Sequence, residues 1–361
     1  MVKMEDVARL AGVSLTTVSR FLNNDETFSI SKKTEARILR AVNKLGYQSP
    51  NTLKYKKHRM SSFSPGSVNI GYIISWDINS YDENFFSGII QGISQELSEH
   101  KQHLAFSYRV DDLSNLIVQN KIISNNYDGV IIIGAVPPKT FDLIIKNINH
   151  QICIFETPEN STIDCITVDF EKYAYMLTDF LIKQGHRKIV FIGGPTYGTL
   201  LYSSCKTGNY YNYEARLRGY LKAHMDNNIE INEKFILDAG WIMENAYEQT
   251  KELLTQACFT AIFASCDRLG IGAMRAINES NLSVPDDISI VGYDDSDVGR
   301  YLTPPITTVQ YAQKGIGRLA VKMLLDQIHN NDRFNEYEVG KRIIFPQKIL
   351  HRDSVKTISV E

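Results

Sequence analysis

From residue 68 onward the chain alternates short apolar runs with amphipathic stretches, and this pattern restricts the fold more than anything else in the sequence. Apolar runs at residues 68–76, 104–110, 128–133, 152–155 and 166–169 have the length and β-branched content of buried strands, and 85–99 and 173–184 have helical spacing. After a turn at Gly185-His186-Arg187-Lys188 the alternation resumes, with strands at 189–192, 235–237, 261–264 and 288–291. Strands separated by helices form parallel sheets with helices on both faces. Two such series in succession predict two doubly wound α/β lobes with a cleft between them.

The N-terminal residues have a different period. Val7, Ala8, Leu10 and Ala11 fall at helical spacing, Gly12-Val13-Ser14 interrupts, and Val18, Phe21 and Leu22 form the inner face of a second short helix. Two short helices around a glycine turn read as a helix-turn-helix or, by periodicity alone, as a plain αα-hairpin. Gly12 suits a positive φ, and Ser14 suits a helix cap. The outward positions Leu15, Thr16, Thr17, Ser19, Arg20 and Asn23 are small, hydroxylated, amide or cationic, the types that touch phosphates and base edges in a major groove. Residues 31–45, capped by Ser31, with a stripe of Ile38, Leu39, Val42 and Leu45 and a stop at Gly46, read as a third helix closing this small core.

The distribution of charge agrees. The chain of 361 residues has a net charge of −2, but residues 1–60 hold twelve Lys and Arg against five Asp and Glu. A basic head on an acidic body confines phosphate attraction to one end. The segment 49–67, with Pro50 and Pro65 near its ends and Lys54, Lys56, Lys57 and Arg59 between them, reads as a basic linker acting on phosphates. No run of about 18 apolar residues and no apolar leader is present, so a cytoplasmic protein outside the membrane is expected. Cys153, Cys165, Cys205, Cys258 and Cys266 form no C-x-x-C pair, and are expected to be reduced and mostly buried.

The order Asp6-Val7-Ala8, Ala11-Gly12-Val13-Ser14, Thr17-Val18-Ser19-Arg20, Asn23 resembles the headpiece of the LacI/GalR family of bacterial repressors. The resemblance continues through Gly185-His186, Gly193-Gly194-Pro195, Arg216-Leu-Arg-Gly-Tyr220, Asp267 to Ala276, Val284 to Asp295 and Pro304 to Val309, which are similar to that family's periplasmic-binding-protein-like effector domain. It implies an all-α headpiece at 1–48, a hinge at 49–67 and an effector-binding and dimerisation domain at 68–361. The lobes are expected at about 68–170 plus 308–335 and 171–307 plus 336–352. Two departures stand out. The loop 24–30 is about two residues longer than is usual in the family, and Lys57 stands near where the family's hinge helix places a leucine wedge for the minor groove.

Ligands of α/β lobes sit beyond the carboxyl ends of the strands. This selects Ser75, Trp76, Asp77, Tyr81, Asn84, Phe85, Gly134, Ala135 and Glu156 on the first lobe, and Asp169, Arg216, Trp241, Cys266, Asp267 and Asp294 on the second. An aromatic platform with carboxylates and an arginine suits a polyhydroxylated ring. The resemblance implies ligand roles for Arg216, Trp241 and Asp294, whereas Cys266 replaces an asparagine common in the family. The alternatives are structural: helix caps for Asp267 and Asp295, core for Trp76, and a buried ion pair for Arg216 and Asp294. The loop 196–213, with Tyr202, Tyr210, Tyr211 and Tyr213, is longer than usual in the family and reads equally as a lid or a protein contact; an elongated loop here is similar to that of the family's galactose and galactoside regulators, and this resemblance implies a galactoside as ligand.

Enzyme readings find no support. Gly270-Ile-Gly272 lacks the third glycine of a dinucleotide fingerprint, no phosphate-binding Gly-Lys loop occurs, and His186 reads as a packing residue. The expectation is a homodimeric repressor, free of cofactor and metal, whose hold on operator DNA is set by a small sugar. The alternatives are a corepressed or global regulator using another ligand or a protein partner and, from a different class, a sugar receptor that does not act on DNA.

Overall fold

The structure, a computed structural model, describes residues 3–22, 68–75, 86–156, 162–194, 214–330 and 340–359, with scattered positions between 30 and 45. Helix α1 (Met4–Ala11) ends at Gly12, whose φ of 64° lets the Val13 amide reach back to the Ala8 carbonyl. Helix α2 (Leu15–Leu22) starts after Ser14, whose Oγ accepts from the Thr17 amide at 3.1 Å. Ser31 does the same for Thr34 at 3.2 Å. Val7, Ala8, Ala11 and Val18 are buried against Ile38 and Ala41, so the predicted three-part core is present. Leu39, Val42 and Gly46 lie outside the described residues.

The first lobe is built from β1 (Ile70–Ile74), α3 (Ser87–Glu99), β2 (Leu104–Arg109), α4 (Leu116–Ser124), β3 (Gly129–Ile133), α5 (Pro138–Asn147), β4 (His150–Ile154) and β5 (Asp164–Val168). The second contains α6 (Phe170–Lys183), β6 (Ile189–Gly193), α7 (Ala215–Asp226), β7 (Ile236–Asp238), α8 (Met243–Gln256), β8 (Ala261–Ala264), α9 (Asp267–Glu279), β9 (Ser289–Val291) and the short α10 (Asp297–Arg300). The chain then crosses back through β10 (Thr308–Tyr311), α11 (Gln313–Asn330), β11 (Arg342–Phe345) and β12 (Gln347–Leu350).

Both sheets are parallel, with strand orders β11-β5-β4-β3-β1-β2 and β7-β6-β8-β9. Their central strands β3 and β6 are buried along their whole length, as parallel strands covered on both faces must be. One expected boundary is corrected. Residues 336–352 are expected in the second lobe from sequence, yet β11 pairs with β5 and completes the first-lobe sheet. Its apolar part, Ile343-Ile344-Phe345, is too short to identify which sheet edge it joins. Strands β10 and β12 form a separate antiparallel pair.

Glycines set how closely the helices cross. A Cβ at Gly92 would run into the Lys314 carbonyl, and one at Gly317 into that of Ile89, so α3 and α11 touch backbone to backbone. Gly219 plays the same part between α7 and the Glu171 carbonyl of α6, which accounts for the glycine in Arg216-Leu-Arg-Gly-Tyr220.

The lobes share one apolar cluster. A line of rings joins them: Phe86 to Phe155 (6.4 Å between centroids), Phe155 to Phe170 (5.5 Å), Phe170 to Tyr293 (5.8 Å), with Tyr311 edge-on to Phe155 (6.2 Å). His186 is buried between Thr260 Oγ1 (2.9 Å) and the Lys356 carbonyl (3.1 Å), the packing role expected of it; it pins the C-terminal segment to β8. Cys153, Cys165 and Cys266 are buried and free, whereas Cys258 is exposed and free. Among the described residues no helix is long and apolar enough to cross a membrane.

Candidate functional site: an interlobe cleft and a recognition helix

The strand ends converge on Arg216. Its backbone begins α7, where the Glu214 side chain caps the helix by accepting from the Arg216 amide at 2.8 Å. The same carboxylate takes a second hydrogen bond from Arg216 Nε at 2.9 Å. Nη1 donates to the Ser265 carbonyl at 2.9 Å, beyond the end of β8. Three rings surround the guanidinium, with centroids 4.5 Å (Trp241), 4.8 Å (Phe170) and 5.5 Å (Tyr293) away. Stacking and paired hydrogen bonds hold it in one orientation.

Asp294 follows β9. Tyr311 Oη donates to its Oδ1 at 3.2 Å, while Oδ2 is buried and makes no hydrogen bond among the described residues. Burial pushes its carboxyl up to about 7, against the pull of Arg216. Glu156, at the end of β4 on the facing lobe, is also pushed up to about 7 by burial and by Glu214, with Arg216, Arg218 and Arg342 opposing. Ser265 Oγ is a second buried polar atom without a hydrogen bond among the described residues. Phe155, Trp241 and Asp294 all have positive φ (76°, 64° and 94°). Such backbone is costly in non-glycine residues and persists where its surroundings over-determine it. The arrangement offers aromatic faces, one oriented cation and carboxyls that change protonation near neutrality, and so can exchange hydrogen bonds with a hydroxylated ring.

Of the expected ligand residues, the structure brings Arg216, Trp241, Cys266 and Asp294 together. Cys266 is buried, and burial and nearby Asp294 push its thiol up to about 12. Asp267 takes the structural role that was the alternative to a ligand contact. Its Oδ1 accepts from Thr308 Oγ1 and its Oδ2 from the Ser296 amide, both at 2.6 Å, so both oxygens tie α9 to β10 and to the start of α10. Asp295 likewise anchors Arg300 (2.6 Å) and Arg352. Asp169 caps α6 through the Lys172 amide at 3.1 Å. Trp76, Tyr81, Phe85 and the tyrosine-rich loop lie outside the described residues. The sequence reading missed Glu214, Phe170, Tyr293, Tyr311 and Ser265. Glu214 had a usable signal, a carboxylate just before a helix start; the others read as ordinary core.

On α2, Ser14, Leu15 and Thr16 are exposed, and Thr17, Ser19 and Arg20 are half-buried. Leu15 is 43% exposed, far from the usual state of a core leucine. Thr17 Oγ1 lies 2.8 Å from Ser14 Oγ, which fixes both hydroxyls. Asn23, Lys54, Lys56 and Lys57 lie outside the described residues.

Residues 3–51 match the family described as bacterial regulatory proteins, lacI family, and residues 178–355 match the periplasmic binding protein-like domain. The chain is 28% identical to the HTH-type transcriptional repressor PurR of Haemophilus influenzae over 99% of its own length and 100% of that protein's. Among solved structures it is similar to a transcriptional regulator CelR–cellobiose complex (24% identity, TM-score 0.67, 98% of this chain and 100% of that one). It is also similar to the lac repressor dimer bound to operator and the anti-inducer ONPF (22% identity, TM-score 0.64, 98% and 99%). The structural likenesses bear on the fold.

Proposed function

The chain belongs to the LacI family as a DNA-binding transcriptional repressor, and from that premise we propose that a small sugar, a galactoside in the first instance, binds between its lobes and controls its hold on operator DNA. The observation that carries this reading is Asp294, whose buried Oδ2 makes no hydrogen bond among the described residues although it belongs to the cluster around the oriented Arg216. A ring hydroxyl supplies the missing donor, and the apolar face of a pyranose suits the surrounding aromatic rings.

Two chains assemble as a homodimer, so that two copies of α2 reach half-sites about one helical turn apart. Leu15, Thr16 and Arg20 read bases, while Ser14, Thr17, Ser19 and Asn23 fix register on phosphates, with Lys54, Lys56 and Lys57 adding charge. Ligand binding favours one arrangement of the lobes, and DNA binding is coupled to it by roughly 1–3 kcal/mol.

The test is a thermal-shift panel of mono- and disaccharides on the full chain, followed by operator binding with each hit. A galactoside that raises the melting temperature and weakens DNA binding supports the proposal. A ligand that tightens DNA binding makes the protein a corepressed regulator, and hits confined to phosphorylated sugars or nucleobases overturn the assignment of a neutral sugar.

A further inference from the structure

A second concave site lies at the opposite ends of the second-lobe strands from the cleft. It is a pocket of about 320 Å³ beside Ile189 at the start of β6, with Tyr220, His224, Phe235, Lys188 and Cys258 among its walls. That volume falls within the range of small-ligand sites, about 300–1,000 Å³.

The pocket's lining is of two chemical kinds. His224 is 2% exposed. Its Nδ1 lies 3.0 Å from the Tyr220 carbonyl; a carbonyl only accepts, so Nδ1 carries the hydrogen and Nε2 is left as an acceptor. Burial disfavours the charged imidazolium, and Nε2 makes no hydrogen bond among the described residues. Tyr220 Oη is committed to the Ile189 carbonyl at 2.8 Å, so Tyr220 offers its ring, with Phe235 as a second apolar wall. Among the lining residues, Lys188 is exposed and Arg187 is fixed by donating to the carbonyls of Ile182 (2.7 Å) and His186 (3.0 Å). These two cations outweigh the single carboxylate of Glu230.

We propose that this pocket is a second ligand site, independent of the interlobe cleft, for a small phenolic carboxylate. The phenol donates to His224 Nε2, the ring lies against Tyr220 and Phe235, and the carboxylate meets Lys188 and Arg187. A buried neutral acceptor selects a donor, and paired cations select an anion.

Cys258, the exposed thiol at the rim, serves as reporter in the full-length protein. Its alkylation by iodoacetamide is followed by mass spectrometry with 4-hydroxybenzoate, benzoate or phenol present. The expected result is that 4-hydroxybenzoate slows alkylation of Cys258, while benzoate, lacking the donor, and phenol, lacking the anion, each need about tenfold higher concentration for the same protection. Lys188→Gln, a surface change that leaves the fold intact, is expected to raise the concentration of 4-hydroxybenzoate needed by a similar factor, and His224→Gln to abolish the advantage of 4-hydroxybenzoate over benzoate. No protection by 4-hydroxybenzoate up to its solubility, equal protection by all three compounds, or an unchanged response in Lys188→Gln would overturn the proposal.

Discussion

Arg216 and Glu214 form an ion pair inside the protein, Nε to Oε1 2.9 Å, with side chains only 7% and 8% exposed. A pair this dry is costly to break from one side, because the remaining charge stays buried. Glu214→Gln and Arg216→Met are therefore each expected to destabilise the second lobe by about 3–5 kcal/mol, measured by chemical denaturation. The double variant should lose clearly less than the sum of the two. Additive losses would mean that the charges act separately. Either single change should also weaken binding of the cleft ligand, since Glu214 holds the guanidinium in place.

Asp294 makes stability depend on pH in a stated direction. Its folded carboxyl is raised to about 7 from an ordinary 3.8, so between those values the folded state binds the proton and the unfolded state does not. Its contribution to stability is fully present below about 4, falls as pH rises toward about 7, and is constant above that. The melting temperature of the wild type relative to Asp294→Asn should decline over this window. A flat difference would place the carboxylate in a far more polar setting than the structure gives it.

In the headpiece, cap and reading surface are separable. Ser14→Ala removes the hydroxyl that accepts from the Thr17 amide and should cost the headpiece about 1 kcal/mol without altering which operator sequence is preferred. Exchanging the exposed Leu15 and Thr16 should do the reverse, shifting sequence preference with little effect on melting. Selection from a randomised operator library distinguishes the two, and an unchanged preference after the Leu15/Thr16 exchange removes them from base reading.

Gly219→Ala puts a methyl into the Glu171 carbonyl. It should separate α7 from α6, lower the melting temperature, and weaken ligand binding because Arg216 and Phe170 sit at the starts of those two helices. Ala at Gly240, where a Cβ meets nothing within 4 Å but φ is 57°, should lower stability through backbone strain alone and leave ligand affinity nearly unchanged.

The parts of the molecule that were legible in the sequence are those where one local rule decides. The parallel strands of both lobes stood out because burial on two faces gives continuous apolar runs, as in Val130-Ile131-Ile132-Ile133. The turn at Gly12 and the cap at Ser14 follow from backbone chemistry alone. Arg216 and Asp294 came from resemblance, and the structure brings both into one cluster. The function of Asp267 could not be read, because what its carboxylate does depends on Thr308, forty-one positions along the chain. Tyr293 and Tyr311 were equally hidden: an aromatic residue at a strand end has the same sequence signature whether it fills a core or floors a cleft.

The position of β11 bears on how the protein is made. The first-lobe sheet receives its last strand from residues 342–345, although the five others are encoded before residue 169. During synthesis the β5 edge, Cys165 to Val168, therefore waits with unpaired backbone groups while the whole second lobe emerges from the ribosome. At ~5–20 residues per second that interval lasts on the order of ten seconds or more. An open edge of this kind is a template for pairing with a neighbouring nascent chain. Residues 342–345 thus supply the strand that closes the edge, and a message truncated before them would yield a chain with both lobes largely formed and a sticky side.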